Sequence, residues 1–229
     1  MTEALVRCER LTRVYHVGDR EVIALRDVDL TIPAGTFVAV MGRSGSGKTT
    51  LLNLIGGLDR PTTGEVFLTS QPLSALSDRD LTEMRRYKVG FVFQSFALLP
   101  TLSAFDNVAL PLRIAGVNGR KRDARVRQCL DVVGLREWAG HCPYELSSGQ
   151  QQRVAIARAL VNDPLLILAD EPTGELDSTT AREIFALFRR LATEHGVTVM
   201  TASHDLLVND YAILNISLHD GRVEPAQVI

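Results

Sequence analysis

Apolar residues along this chain fall into two kinds of run. Phe37–Met41, Val89–Phe93, Leu165–Ala169 and Val197–Thr201 are nearly uniform in apolar character, as strands covered on both faces of a parallel sheet are. Leu5–Arg10, Val22–Ile32 and Gly64–Ser70 instead mix apolar with polar positions and carry turn residues, which predicts an antiparallel sheet beside the parallel one. A helical period appears at Ala181, Ile184, Phe185, Phe188, Leu191 and Ala192, one apolar face that His195-Gly196 brings to an end. From Ser95 to Asn162 the pattern is mainly helical, with Pro100, Pro111 and Pro143 expected to punctuate it. The architecture predicted is α/β: a core with a mostly parallel sheet, an N-terminal antiparallel β subdomain, and a helical subdomain (approximately 95–162) inserted between core strands. One domain is expected to span 1–229.

Composition narrows the class. The 229 residues are 45% hydrophobic and 23% charged, which excludes a disordered or low-complexity chain. Lysines and arginines number 25 against 27 acids, for a formal charge of -2, so the whole-domain charge gives no support to a polyanion binder. Cys8, Cys129 and Cys142 lie far apart with no C-x-x-C pair, and neither a disulfide framework nor a zinc site is expected. Met1–Arg10 carries Glu3, Arg7, Glu9 and Arg10 and no apolar run of the kind a secretion signal needs. The strongest apolar runs are strand-sized, far below the ~20 residues of a membrane span. A reduced, intracellular, soluble protein is the expectation.

The chemistry begins where the strand Phe37–Met41 runs into Gly42-Arg43-Ser44-Gly45-Ser46-Gly47-Lys48-Thr49, followed by an apolar helix from Thr50 to about Leu58. This matches G-x-x-x-x-G-K-[ST] in the strand–loop–helix setting the motif requires. Glycines let consecutive backbone N–H groups point at phosphate oxygens, and the helix N-terminus adds the positive end of its dipole. Lys48 would reach the β- and γ-phosphates, and the Thr49 hydroxyl could coordinate Mg²⁺. A second buried run, Leu165–Ala169, ends in Asp170-Glu171. Side chains alternate along a strand, so the two acids are expected on opposite sides with separate tasks: Asp170 towards Mg²⁺, Glu171 as the general base that polarises water. Val197–Thr201 likewise ends near His204, which could contact a γ-phosphate and help to hold that water.

Between those strands, Leu146-Ser147-Ser148-Gly149-Gln150 runs into the helical Gln151–Leu160. The segment resembles the leucine-serine-glycine-glycine-glutamine signature of ATP-binding cassette (ABC) proteins, and further elements fall in the order of that family. Tyr15 is similar to the aromatic that stacks on adenine. Gln94, after Val89–Phe93, is similar to the glutamine that touches Mg²⁺ and water and relays to a membrane partner. Gly174-Glu175-Leu176-Asp177 resembles the loop exchanged between subunits, and His204 the switch histidine. The likeness runs from about Leu5 to Gly221. Gly56-Gly57-Leu58-Asp59, Phe91–Gln94, Asn107–Leu112 and Ala169–Gly174 resemble the lipoprotein-releasing and macrolide-exporting branch.

The resemblance implies an ATPase using ATP and Mg²⁺ that works as a head-to-tail dimer, with a second copy of itself or a homologous cassette. The phosphate loop of one subunit (Gly42 to Thr50) would face Ser147, Gly149, Gln150 and Asp177 of the other across each nucleotide. It further implies a separate transmembrane permease and a place at the cytoplasmic face of the cell membrane. Two positions depart from the pattern: Ser148 stands where the family has its first signature glycine, and Glu175 where the branch usually has asparagine. Alternatives are a non-transport cassette acting on nucleic acid, or a signalling cassette coupled to a membrane protein. Two basic clusters, one at Arg85, Arg86 and Lys88 and one over Arg120–Arg127, could contact nucleic acid, but a solvated, acid-paired helix face is the reading favoured, and no nucleic-acid partner is expected.

Overall fold

The computed structural model describes residues 4–224; the Met1–Glu3 part of the leader reading, and the extremes of the expected 1–229 domain, lie outside the described residues. Strands β1 (Ala4–Val17) and β2 (Arg20–Pro33) form a long antiparallel hairpin, and β3 (Phe37–Met41) leads into helix α1 (Lys48–Ile55). Strands β4 (Thr63–Leu68) and β5 (Gln71–Pro72) precede α2 (Asp78–Tyr87) and β6 (Val89–Val92). Helices α3 (Ala104–Ile114), α4 (Gly119–Val132) and α5 (Ser148–Leu160) follow, then β7 (Leu166–Asp170), α6 (Ser178–His195) and β8 (Thr198–Ser203). Strands β9 (Leu214–His219) and β10 (Arg222–Val223) close the described chain.

The strands form an antiparallel sheet ordered β2-β1-β4-β5 and a second sheet ordered β10-β9-β3-β8-β7-β6. In the second, β9, β3, β8, β7 and β6 run parallel, and β10 turns back antiparallel on β9. Its side chains alternate between two cores as the strand pleat demands. Phe37, Ala39, Ile167, Ala169 and Val199 face the core built with α3, α4, α5 and α6. Val38, Val40, Leu166, Leu168, Met200 and Ala202 face the core shared with α1, α2 and the antiparallel sheet. Helix α1 is thereby held between the sheets, which is why Leu51, Leu52, Leu54 and Ile55 are all buried. Helix α6 buries the face read from its period and ends at Gly196, whose left-handed φ of 69° lets its N–H return to the Leu191 carbonyl.

One reading of the helical stretch is corrected. Pro111 does not punctuate: it lies inside α3. A proline there removes one backbone hydrogen bond, and the loop ahead of the helix is held by Asn107. That fully buried amide accepts from the Leu99 N–H and donates to the carbonyls of Leu99, Leu102 and Ser103. All of the helices α3, α4 and α5 fall between β6 and β7, strands that are hydrogen-bonded neighbours. The insertion therefore springs from one edge of the sheet.

Candidate nucleotide site

Parallel strands bring their carboxyl ends to one edge of the sheet, the usual place for a ligand in such folds. Pairing of Met41 with Ser203, Ala202 with Asp170 and Ala169 with Val92 sets that edge in register. The residues that follow, Gly42, His204, Glu171 and Phe93-Gln94, consequently line up side by side.

The loop after β3 folds as the motif requires. Ser46 N–H donates to the Arg43 carbonyl, and Gly47 caps α1 with a φ of 104°. A side chain at position 47 would also bring a Cβ to 2.4 Å from the Ala24 carbonyl oxygen, so only glycine fits. Lys48 is buried and curls over the loop, its Nζ 2.8 Å from the Gly42 carbonyl and 3.2 Å from that of Arg43. Ser46 Oγ is buried and has no hydrogen-bond partner among the described residues, whereas Arg43, Ser44, Gly45 and Thr49 are exposed around it. A buried hydroxyl without a partner, beside a lysine and the N-terminus of the eight-residue helix α1, is a donor set suited to phosphate oxygens.

The acids correct the alternation argument. Glu171 does not continue β7: its φ of 47° swings the chain out of the strand, held by its N–H to the Ala202 carbonyl. Both carboxylates therefore converge on the start of α1. Asp170 Oδ1 accepts from Thr49 Oγ1 at 3.2 Å, and Glu171 Oε1 lies 3.6 Å from Lys48 Nζ. Burial pushes the Asp170 carboxyl above its ordinary range, against the Thr49 hydrogen bond that favours the charged form. Glu171 Oε2 is 2.8 Å from His204 Nδ1. A left-handed non-glycine residue at this point is strain of the kind that collects at working sites. Gln94 is exposed and packs against Gly174, where a Cβ would come within 3.0 Å of its amide nitrogen.

Ser147, Gly149, Gln150 and Asp177 form a separate cluster. Ser147 caps α5 and exchanges hydrogen bonds with Gln150 in a capping box. A Cβ on Gly149 would meet Thr180 Cγ2 at 2.5 Å, and Thr180 in turn bonds Asp177. Asp177 caps α6 through the N–H groups of Thr179 and Thr180, and these bonds, led by the Thr180 hydroxyl, hold its carboxyl below the usual carboxylate range. Among the described residues, none of these side chains hydrogen-bonds to the phosphate loop of its own chain. Tyr15 sits on β1, half-buried, with its hydroxyl on Asp59. Sequence reasoning found Tyr15 but gave Asp59 no role. Nothing in the sequence signals that contact across a separation of 44 positions.

Fold and site together define a phosphate-loop NTPase. The ABC transporter family profile matches residues 25–174. An ABC transporter ATP-binding protein of Methanocaldococcus jannaschii is 47% identical over 96% of this chain and 95% of its own length. The lipoprotein-releasing system ATP-binding protein LolD of Chromohalobacter salexigens is 49% identical over 89% and 86%. The macrolide export ATP-binding/permease protein MacB of Syntrophobacter fumaroxidans is 45% identical over 96% of this chain, which spans only 31% of that relative. The solved dimeric structure of the archaeal cassette in a post-hydrolysis state, bound to ADP and Pi, is 46% identical, with a TM-score of 0.87 over 96% of this chain and 97% of that one. This chain belongs to the ABC transporter family, as an ATP-hydrolysing cassette subunit.

Proposed function

We propose that the chain binds Mg-ATP at the sheet edge described above and hydrolyses it to power a separate permease of the lipoprotein-releasing or macrolide-exporting type. The observation that carries the reading is the convergence of Lys48, Thr49, Asp170, Glu171 and His204 at one helix N-terminus. Gly42 to Thr50 cradle the phosphates, with backbone N–H groups and Lys48 meeting their charge. Thr49, Asp170 and Gln94 offer the hard oxygens that Mg²⁺ prefers, and the metal's contribution is to neutralise charge on the phosphate oxygens. Glu171 takes the proton of the attacking water. His204, fixed by Glu171, presents its other ring nitrogen towards the γ-phosphate. Tyr15 stacks on the adenine.

Ser147, Gly149, Gln150 and Asp177 complete the site of a second copy. Their separation from the phosphate loop of their own chain supports a head-to-tail dimer, and the archaeal relative is itself dimeric. No helix among the described residues is long and apolar enough to cross a membrane, and the separate permease supplies the membrane component. It docks in the groove between β6, α3 and α5, where Phe93, the residue before Gln94, and Ile114 are exposed, and holds the cassette at the cytoplasmic face of the membrane. The basic clusters support this over a nucleic-acid role. Arg86 pairs with Glu83, Arg122 with Asp123 and Arg125 with Asp163, while Arg85 bonds the Gly57 carbonyl.

The test is phosphate release from Mg-ATP by the wild-type and Glu171→Gln proteins, alone, with duplex DNA and with the reconstituted permease. A general base contributes about 10²–10⁴-fold, so the variant should bind ATP and lose hydrolysis by that factor. Stimulation by the permease is expected. Stimulation by DNA, or wild-type hydrolysis in the variant, would overturn the reading.

A further inference from the structure

Tyr15 is not held by its strand alone. Its hydroxyl donates to Asp59 Oδ2 at 2.7 Å. The same carboxylate takes a two-pronged contact from Arg13, Nε to Oδ2 at 2.9 Å and Nη2 to Oδ1 at 2.9 Å. Arg13, two residues before Tyr15 and so on the same face of β1, lays its guanidinium over the Tyr15 ring, 4.4 Å from the centroid. One carboxylate thus ties down both the tip of the ring and the cation that covers one of its faces.

Asp59 itself lies just past α1, the helix that opens with Lys48. Its N–H returns to the Asn53 carbonyl, and the Arg60 N–H donates to its Oδ1. All three side chains are partly shielded from water, with Arg13 and Asp59 each 24% exposed, so this is a shielded bidentate pair and not a solvated surface one.

We propose that Asp59 and Arg13 are positioning residues for the nucleobase: they lock the Tyr15 ring, close one of its faces, and leave the other as a fixed platform for a purine. The inference rests on the reading that Tyr15 stacks on adenine. A ring free to rotate about its side-chain bonds would lose part of the stacking energy to ordering. A ring already clamped does not. Since stacking reads the area of the base and not its hydrogen-bonding edge, the clamp selects a purine over a pyrimidine and leaves the phosphates to the loop. The clamp also anchors the far end of α1, so the element that meets the phosphates and the one that meets the base share a single support.

The decisive measurement is calorimetric binding of ADP, CDP and pyrophosphate, none of which is turned over, to wild type, Asp59→Ala, Arg13→Ala and Tyr15→Ala. Stacking is worth roughly 1–3 kcal/mol per base, or about 5–150-fold in affinity, and this is the range over which Tyr15→Ala should weaken ADP. Asp59→Ala should weaken ADP by about 5–50-fold, most of that range, and Arg13→Ala by less. In each case the preference for ADP over CDP should shrink while pyrophosphate binding stays within about twofold. The Tyr15→Ala, Asp59→Ala double variant should bind ADP no worse than Tyr15→Ala, because the clamp acts only through the ring. Asp59→Asn, which keeps the shape and an acceptor for the hydroxyl, should fall between wild type and Asp59→Ala, and covers the case in which the alanine variant folds poorly. Equal losses of ADP and pyrophosphate would make the pair a mere support for α1 and overturn the proposal. So would an unchanged ADP-to-CDP ratio in Asp59→Ala when Tyr15→Ala abolishes it. An unchanged ratio in Tyr15→Ala would instead sink the stacking reading beneath the proposal.

Discussion

His204 Nδ1 lies 2.8 Å from Glu171 Oε2, at the mouth of the phosphate loop. An ionised carboxylate can only accept, so in this pair Nδ1 carries the hydrogen. The contact orients both partners: it turns the carboxylate away from free rotation and aims the far side of the imidazole outwards. Loss of a partner that orients a working group commonly costs about 10–100-fold, so His204→Ala should lower hydrolysis by that much while leaving ATP affinity within a few fold. Steady-state phosphate release beside equilibrium nucleotide binding separates the two. An equal loss in both would place His204 in binding.

The two carboxylates should also differ in their effect on stability. Burial raises the Asp170 carboxyl pKa, so the folded state holds its proton more tightly than the unfolded chain. The sign is therefore unfavourable at neutral pH: the ionised group costs stability above its folded pKa, and the cost disappears as pH falls below the unfolded value. Asp170→Asn should raise the melting temperature of metal-free protein at pH 7 and lose that advantage below about pH 4, the ordinary aspartate range. The same substitution should weaken Mg-ATP binding, a trade of stability for function.

Asp177 behaves in the opposite way. Its carboxyl is held low by the Thr180 hydroxyl and the N–H groups that it caps. The stabilisation is present above the unfolded pKa and lost as pH falls through the folded one. Asp177→Ala should lower the melting temperature at pH 7, and the gap to wild type should close on acidification below about pH 4. A gap that persists in acid would mean that the helix cap is not the stabilising contact.

Gly149 and Thr180 give a packing prediction. A methyl group on Gly149 would sit 2.5 Å from Thr180 Cγ2, too close for either to keep its place. Overpacking of this kind costs about 1–3 kcal/mol, so Gly149→Ala should unfold earlier in denaturant. Thr180→Ser removes the clashing methyl and keeps the hydroxyl that bonds Asp177, and should restore much of the loss. Independent, additive effects of the two substitutions would refute the contact.

Much of this arrangement is written locally in the sequence. The uniform strands, the period of α6 and the Gly42–Thr49 loop each depend on neighbours a few residues away, and each appears where its pattern puts it. What could not be read depends on distant partners or on single backbone angles. Glu171 breaks strand alternation through one positive φ that no residue type announces. Pro111 sits inside α3, and the loop ahead of that helix is secured by a buried Asn107 that bonds residues up to eight positions away. Arg158 shows the same limit. It reads as one more arginine on an amphipathic helix, yet its guanidinium reaches across to the carbonyls of Phe96 and Ala97, just beyond Gln94. Both of those residues have positive φ, and burial lowers the Arg158 pKa from its ordinary value.

Ser148 stands where the family signature has glycine. In this structure Ser148 is the first residue of α5, and it is exposed. The cap is supplied by Ser147 and Gln150, so the Ser148 side chain has no part in holding the helix. If this surface meets nucleotide only across a dimer interface, its tolerance is set by the second copy and not by its own fold. Ser148→Gly should then leave ATPase activity within a few fold, and as an exposed first-turn residue it should cost at most about 1 kcal/mol of stability. Ser148→Arg should do something different. It should keep the wild-type melting temperature and the wild-type affinity of the monomer for ADP, because neither depends on this position. It should abolish the part of ATP hydrolysis that rises with protein concentration, because a long charged side chain would stand between the signature and the opposing γ-phosphate. The measurements are thermal unfolding, ADP calorimetry, and initial rates of phosphate release over a series of protein concentrations. Full concentration-dependent hydrolysis in Ser148→Arg would remove the signature helix from the interface. A loss of ADP affinity in the monomer would show instead that Ser148 serves the site of its own chain.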